Sequence, residues 1–178
     1  NAVLKYKNVI RNLFWMEILK YTKSGLKGID NYMDVLDDLY KKYVVDYKLL
    51  TPSAMHYIKD GRIGSVFSPY YFRASIMNPY LVYSLNLNAL HGTKIFTPTL
   101  GWSSYYYGFA ETNTITNYVG VDVIPGVCQK VKQFAKRNYP QIHTDVYCVP
   151  SEDLAKNVIF LKKYKEFFDV VFFSPPYF

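Results

Sequence analysis

Phe168-Asp169-Val170-Val171-Phe172-Phe173-Ser174-Pro175-Pro176-Tyr177-Phe178 is the stretch on which the fold turns. Val170 to Phe173 are apolar on both faces, the pattern of a central strand in a parallel sheet covered by helices on both sides. Ser174 then meets two prolines, which stop the strand, fix an extended backbone and leave carbonyl oxygens free to accept. Upstream, strand-like runs at Lys94–Thr97, Tyr118–Val123 and His143–Cys148 recur about every 25 residues, the period of βαβ units. Helical patterns fill the gaps at Ser103–Glu111, at Gly126–Asn138 behind Pro125, and at Glu152–Tyr164. Right-handed crossovers would set these strands side by side. The expectation is an α/β fold with a parallel, doubly wound half-sheet.

Ahead of it the chain reads as helical. Residues 2–22 carry Tyr6, Val9, Ile10, Leu13, Phe14 and Ile18 at helical spacing, and Ser24-Gly25 ends the run. A second helix is expected after Asp30 as N-cap, and Pro52 opens a third that stops near Asp60-Gly61. Asn78-Pro79 starts another, which Gly92 closes. The division expected is a helical N-terminal region over 1–64 and the α/β domain over 65–178.

Composition narrows the class. Half of the 178 residues are hydrophobic and 20% are charged, which excludes a disordered or low-complexity chain. No apolar run is long enough to span a bilayer and no signal-peptide pattern opens the chain, so an intracellular, non-secreted protein is expected. Cys128 and Cys148 lie too far apart in sequence for a CxxC motif and are too few for a disulfide framework or a zinc site, which fits a reducing compartment. The 19 Tyr, 12 Phe and 2 Trp suit stacking on flat ligands or surface hidden against partners. The net charge of +7 favours an anionic partner. Its two dense groups, Lys130 to Arg137 and Lys162 to Lys165, read as solvated helix faces or as a phosphate-backbone footprint. His56, His91 and His143 show no metal-ligand spacing, and Asp34, Asp37 and Asp38 read as a solvated helix face; no metal is expected.

In an open parallel sheet, ligands bind beyond the carboxyl ends of the strands near the point where strand order reverses. After the first strand come Thr97, Pro98, Thr99 and Gly101, where Gly101 permits a tight turn. The second strand ends at Asp122, 21 residues beyond Gly101, the spacing at which an acid accepts from ribose hydroxyls; capping the helix at Pro125 is compatible with that role. After the third, Ser151 suits a helix cap, and Glu152 or Asp153 suits either the first helical turn or an adenine edge. After the fourth, Ser174 and the proline carbonyls can hold a planar amino group, with Tyr177 offering a face for stacking.

Residues 168–177 resemble the strand and (Asn/Asp/Ser)-Pro-Pro-(Tyr/Phe/Trp) motif of class I S-adenosylmethionine-dependent amino-methyltransferases, which modify adenine N6 or cytosine N4 in nucleic acid. Thr97 to Ser104 is similar to that family's Asp-Pro-Phe-x-Gly-x-Gly cofactor loop, and Tyr118 to Asp122 to its ribose-binding strand. The resemblance covers roughly residues 65–178. It implies a Rossmann-like fold and S-adenosylmethionine as cofactor, held by Thr97, Pro98, Thr99, Gly101, Asp122, Val123, Glu152 and Asp153, with Phe72 in an aromatic loop (Phe67 to Phe72) closing over the methionine end. It implies that Ser174 and the Pro175 carbonyl, with Pro176 and Tyr177, orient and stack a flipped base. Ser in the tetrapeptide leans towards cytosine N4. Two departures stand out: Thr97 replaces the acid that opens the loop, and Ser103 replaces its second Gly.

The function expected is methyl transfer to an exocyclic amine of a nucleic-acid base, DNA before RNA, as in restriction-modification. A catalytically inactive binding or structural subunit of the same fold is the alternative, and a methyltransferase acting on protein glutamine or a small molecule is the third reading. Family members continue beyond the tetrapeptide with three further strands, so the chain is expected to be an N-terminal portion completed by a downstream segment or a second chain.

Overall fold

A computed structural model describes residues 2–26, 28–42, 51–60 and 76–174. Two compact units divide the chain, one comprising Asn1–Phe14 with Ile76–Phe178 and the other Trp15–Ser75.

The smaller unit holds the end of helix α1 (Ala2–Tyr21), an antiparallel hairpin of β1 (Lys23–Leu26) and β2 (Ile29–Asn31), and helices α2 (Tyr32–Lys42) and α3 (Pro52–Lys59). The hairpin was not expected. Ser24-Gly25 lies inside β1, and Gly28 takes the turn with φ +78°. The cap of α2 is Asn31 rather than Asp30: its side chain accepts from the Asp34 amide at 3.1 Å while the Asp34 carboxylate accepts from the Asn31 amide at 3.3 Å. That reciprocal pair satisfies two amide donors at the helix start. Thr51 caps α3 in the same manner, with Pro52 in its first turn. Leu19, Tyr32 and Val35 form the core of this unit, with Met33 and Leu36 against them.

The larger unit is a parallel four-stranded sheet with helices on both faces. After α4 (Pro79–Leu85) and a π-helical turn (Asn86–Leu90) come β3 (Lys94–Thr97), α5 (Ser104–Ala110), β4 (Asn117–Asp122), α6 (Pro125–Asn138), β5 (His143–Cys148), α7 (Ser151–Leu154), α8 (Val158–Lys163) and β6 (Val170–Val171). The helix that opens at Pro79 is closed by His91 in the left-handed region, one residue before Gly92. The expected helix over 152–164 is two helices, because the Asn157 side chain accepts from the Phe160 amide and starts α8 afresh. Strand order is β5-β4-β3-β6, all neighbours parallel. In chain order these are the third, second, first and fourth strands of the sheet, the order of one half of a doubly wound α/β fold.

The layers follow from that order. Moving from β3 to β4 to β5 in one direction keeps α5 and α6 on one face; the reversal to β6 puts α7 and α8 on the other. Aromatic side chains fill these two interfaces. On the first face, Tyr106 meets Tyr118 edge-on at 4.8 Å and Tyr139 at 5.9 Å, and Tyr107 meets Phe134 at 5.7 Å. Every residue of α5 is buried, so the helix is apolar all round. Gly108 makes this possible: a Cβ there would stand 2.5 Å from the Pro79 carbonyl oxygen and from Val82 of α4. On the opposite face, Val119, Val121, Leu154, Phe160 and Tyr164 form a core with Phe96, Tyr147, Phe167 and Phe168 packed against it.

β6 occupies the sheet's edge rather than its centre among the described residues. Val171 is 58% and Phe173 52% exposed. Its start is fixed by Asp169, whose carboxylate accepts from the Thr93 amide (3.0 Å), the Thr93 hydroxyl (2.7 Å) and the Lys94 amide (2.9 Å) at the foot of β3. Burial pushes the Asp169 pKa up, but these hydrogen bonds outweigh it and hold the carboxyl below its ordinary value of 3.8. A depressed folded-state pKa stabilises above the ordinary value, and the gain is lost as pH falls through the folded-state value. Asp169→Ala should lower stability by about 1–2 kcal/mol at neutral pH, after allowance for solvent screening, and the difference from wild type should shrink below pH 3.8. Urea unfolding of both proteins across that pH range measures it.

Candidate functional site

The candidate site is the crevice expected where strand order reverses, at the ends of β3 and β6, which leave the sheet side by side. Phe96 is in register with Val171, and the Phe172 amide donates to the Phe96 carbonyl at 2.9 Å. The loop from Pro98 to Ser103 and the segment Phe172 to Ser174 therefore depart from adjacent strands. Ser174 is half-buried. Pro175, Pro176 and Tyr177 lie outside the described residues, as do Phe72 and the rest of the aromatic loop.

The loop after β3 has unusual backbone. Gly101, Trp102 and Ser103 take φ values of +54°, +55° and +66° in succession. For a residue with a Cβ the left-handed region costs roughly 1–2 kcal/mol, so Trp102 and Ser103 store strain where glycine would not. The bend lets the Ser103 amide donate to the Leu100 carbonyl at 2.9 Å, and the Ser104 hydroxyl to the Gly101 carbonyl at 2.7 Å at the start of α5. Gly101 is further constrained from outside, since a Cβ on it would stand 2.5 Å from the Tyr105 ring.

The two threonines diverge. Thr97 is fully buried and its hydroxyl pairs with the Tyr118 hydroxyl at 2.6 Å, so it turns into the core instead of the crevice. The alternation of β3 dictates this, because Ile95 and Thr97 share the face against α5. Thr99 is the opposite case: its Oγ1 is buried with no hydrogen-bond partner among the described residues. An orphaned hydroxyl is uncommon in a protein interior.

Asp122 ends β4 beside this loop. Its carboxylate accepts from the Ile124 amide at 3.0 Å and from the Leu100 and Val123 amides, which ties the end of β4 to the loop after β3. It does not cap α6, whose cap residue is Ile124. Burial raises the Asp122 pKa in spite of these donors. Val123 is exposed. Pro98 is half-buried, and its carbonyl accepts from the Ser151 hydroxyl. That bond fastens the loop after β5 to the loop after β3; Ser151 is not a cap, since Pro150 holds that place. Glu152 and Asp153 are exposed on the first turn of α7.

The structure thus brings Thr99, Gly101 and Asp122 to one end of the sheet, with Pro98 and Ser151 joined there. Signals missed in the sequence are the left-handed Trp102 and Ser103, the Tyr105 ring over Gly101, and the meeting of Cys128 with Cys148. The last is a pairing that their separation in sequence does not announce: the Cys128 thiol reaches the Tyr147 carbonyl, next to Cys148, and the two thiols interact electrostatically. Of the basic groups, the Lys130 ammonium donates to the Leu13 carbonyl at 3.0 Å and Lys163 pairs with Asp145 at 2.9 Å, while Lys132, Lys136 and Arg137 are exposed. No helix among the described residues is long and apolar enough to cross a membrane. No protein-family model, curated protein or solved structure matches the chain.

Two substitutions test the site's energetics. Ser103→Gly should raise stability by about 1 kcal/mol by relieving the left-handed backbone, read as a higher unfolding midpoint. A buried acid whose folded-state pKa is raised favours the fold below its ordinary pKa and loses that advantage as pH rises through the folded-state value. Asp122→Asn, which can still accept from the Ile124 amide, should therefore match wild type in acid and equal or exceed it at neutral pH in a pH series of thermal melts.

Proposed function

We propose that the chain carries the cofactor half of an S-adenosylmethionine-dependent amino-methyltransferase of class I, acting on an exocyclic amine of a nucleic-acid base. The observation that carries the reading is the third-second-first-fourth parallel strand order, with Asp122 at the end of the second strand and Ser174 beyond the fourth. The crevice between these ends is where such a sheet binds its ligand.

The residues present fit the ribose end of that cofactor. Asp122 is a carboxylate held ready by backbone amides at its own strand end, and a buried acid kept at some expense of stability is what a binding role would retain. The partnerless Thr99 hydroxyl supplies a further polar contact in the same loop. When bound, the cofactor supplies an electrophilic methyl group. The chain's part is then to accept hydrogen bonds from ribose through Asp122, to hold the target amine through Ser174 and the Pro175 carbonyl, and to stack the base on Tyr177. An exocyclic amine is a weak nucleophile because its lone pair is delocalised into the ring. Acceptors at its hydrogens raise electron density on nitrogen and aim it for in-line displacement, so orientation and electrostatics provide the acceleration. Lys132, Lys136 and Arg137 offer charge for a phosphate backbone. Among the described residues, the exposed edge of β6 offers unpaired backbone groups to a further strand.

A binding subunit that has lost catalysis is the second reading. It is favoured by Thr97, which stands where the family has an acid and turns into the core, and by the Tyr105 ring packed over Gly101.

Titration of S-adenosylmethionine into the protein separates the two. Binding that weakens at least tenfold in Asp122→Ala, measured at a temperature where the variant remains folded, is expected; no binding to wild type overturns the enzyme reading. Methyl incorporation should appear in DNA when DNA, RNA, protein and small-molecule fractions are assayed side by side, and Ser174→Ala should cut kcat more than it raises KM. Label confined to protein or small molecules would move the assignment to the third substrate class.

A further inference from the structure

The two cysteines of the chain lie on facing elements, one on α6 and the other at the end of β5. Cys128 is in the first turn of α6, which begins at Pro125. Cys148 is the last residue of β5, in register with Asp122 of β4. It shares a strand face with Val146 and with Thr144, whose hydroxyl donates to the Tyr106 hydroxyl in the α5 and α6 layer. Cys148 therefore projects on the side that α6 covers. From that side the Cys128 thiol donates to the Asp122 carbonyl at 3.5 Å and to the Tyr147 carbonyl at 3.9 Å, one residue before Cys148. The two thiols interact, yet their settings differ: Cys128 is 3% exposed and Cys148 is open to solvent.

We propose that Cys148 is a thiol-modification site for low-molecular-weight disulfides such as oxidised glutathione, and that Cys128 resolves the adduct into a Cys128–Cys148 disulfide. The Cys148 thiol loses its proton and attacks one sulfur of the oxidant. The Cys148 sulfur bonds to one half of the oxidant while the other half leaves as a thiolate. Cys128 then loses its proton, attacks the Cys148 sulfur and expels the second half. Two protein thiols are oxidised, two electrons pass to the oxidant, and two small-molecule thiols are released. The order of events follows from access, since only Cys148 can be reached from solution. Burial, aided by the neighbouring Cys148, pushes the Cys128 thiol up to about 12, which slows the second step. The closed bond would pin the start of α6 to the end of β5 beside Asp122.

The proposal stands whether or not the crevice binds S-adenosylmethionine, and its test does not use that ligand. The reduced protein is incubated with oxidised glutathione, quenched in acid at intervals, and followed by intact mass, free-thiol count and peptide mapping. A transient glutathione adduct on Cys148 should give way to a species two hydrogen atoms lighter than the reduced chain, with both thiols lost and the two cysteine peptides linked. Cys128→Ser should stop at the adduct, and Cys148→Ser should stay unmodified on the same time scale. Should Cys128→Ser fail to fold, Cys128→Ala serves, and the wild-type time course alone still decides. A wild-type adduct that persists without closing, two thiols that remain free, or equal reaction of Cys148→Ser would each overturn the proposal.

Discussion

The pairing of β3 with β4 on one side and β6 on the other is the constraint from which the architecture follows. Parallel neighbours need crossover connections, and crossovers of one hand place their helices by the direction in which the chain moves. Two steps one way and a jump back give α5 and α6 one face and α7 and α8 the other. They also leave the ends of β3 and β6 adjacent, with loops that part in opposite directions. The crevice is a consequence of that reversal, and the Asp169 carboxylate fixes the register on which it depends by holding Thr93 and Lys94 at the foot of β3.

Around the crevice, stability and strain are distributed unevenly. The faces of the sheet are filled with rings at 4.8–6 Å, a dense and rigid support. The loop after β3 instead holds two non-glycine residues in the left-handed region, an unpaired hydroxyl and a carboxylate whose pKa burial has raised. Features that work against folding and gather at the end of a parallel sheet are the expected mark of a site kept for binding. The thiol pair stands next to the same carboxylate, so a covalent change there would reach the end of β4 through the register of Asp122 with Cys148.

Much of this organisation is legible in the sequence. The recurrence of Lys94–Thr97, Tyr118–Val123 and His143–Cys148, the helix starts at Pro52, Pro79 and Pro125, and the candidate position of Asp122 all follow from local rules. Misreadings occur where a local signal had two meanings. Ser24-Gly25 reads as a helix stop but serves a strand; Asp30 and Asn31 are both good caps, and only the reciprocal bond with Asp34 chooses between them. Glu152–Tyr164 has one helical pattern, yet Asn157 caps a fresh helix inside it.

What the sequence by itself determined is the succession of strands and helices and the residues that end each strand, because hydrophobic period and turn chemistry act over a few neighbours. Tertiary structure alone decided the rest. It placed the Thr97 hydroxyl against Tyr118 and left Thr99 unpaired, since which face of β3 meets α5 is settled by packing. It turned Trp102 and Ser103 into left-handed backbone, which no side chain there announces. It buried Tyr105, Tyr106, Tyr107, Tyr118 and Tyr139 in the core, set the Val170–Val171 strand at an edge among the described residues, and brought Cys128 close to Cys148. Each of these depends on which distant segments become neighbours, and that is set by crossover geometry and burial rather than by the residues beside them in the chain.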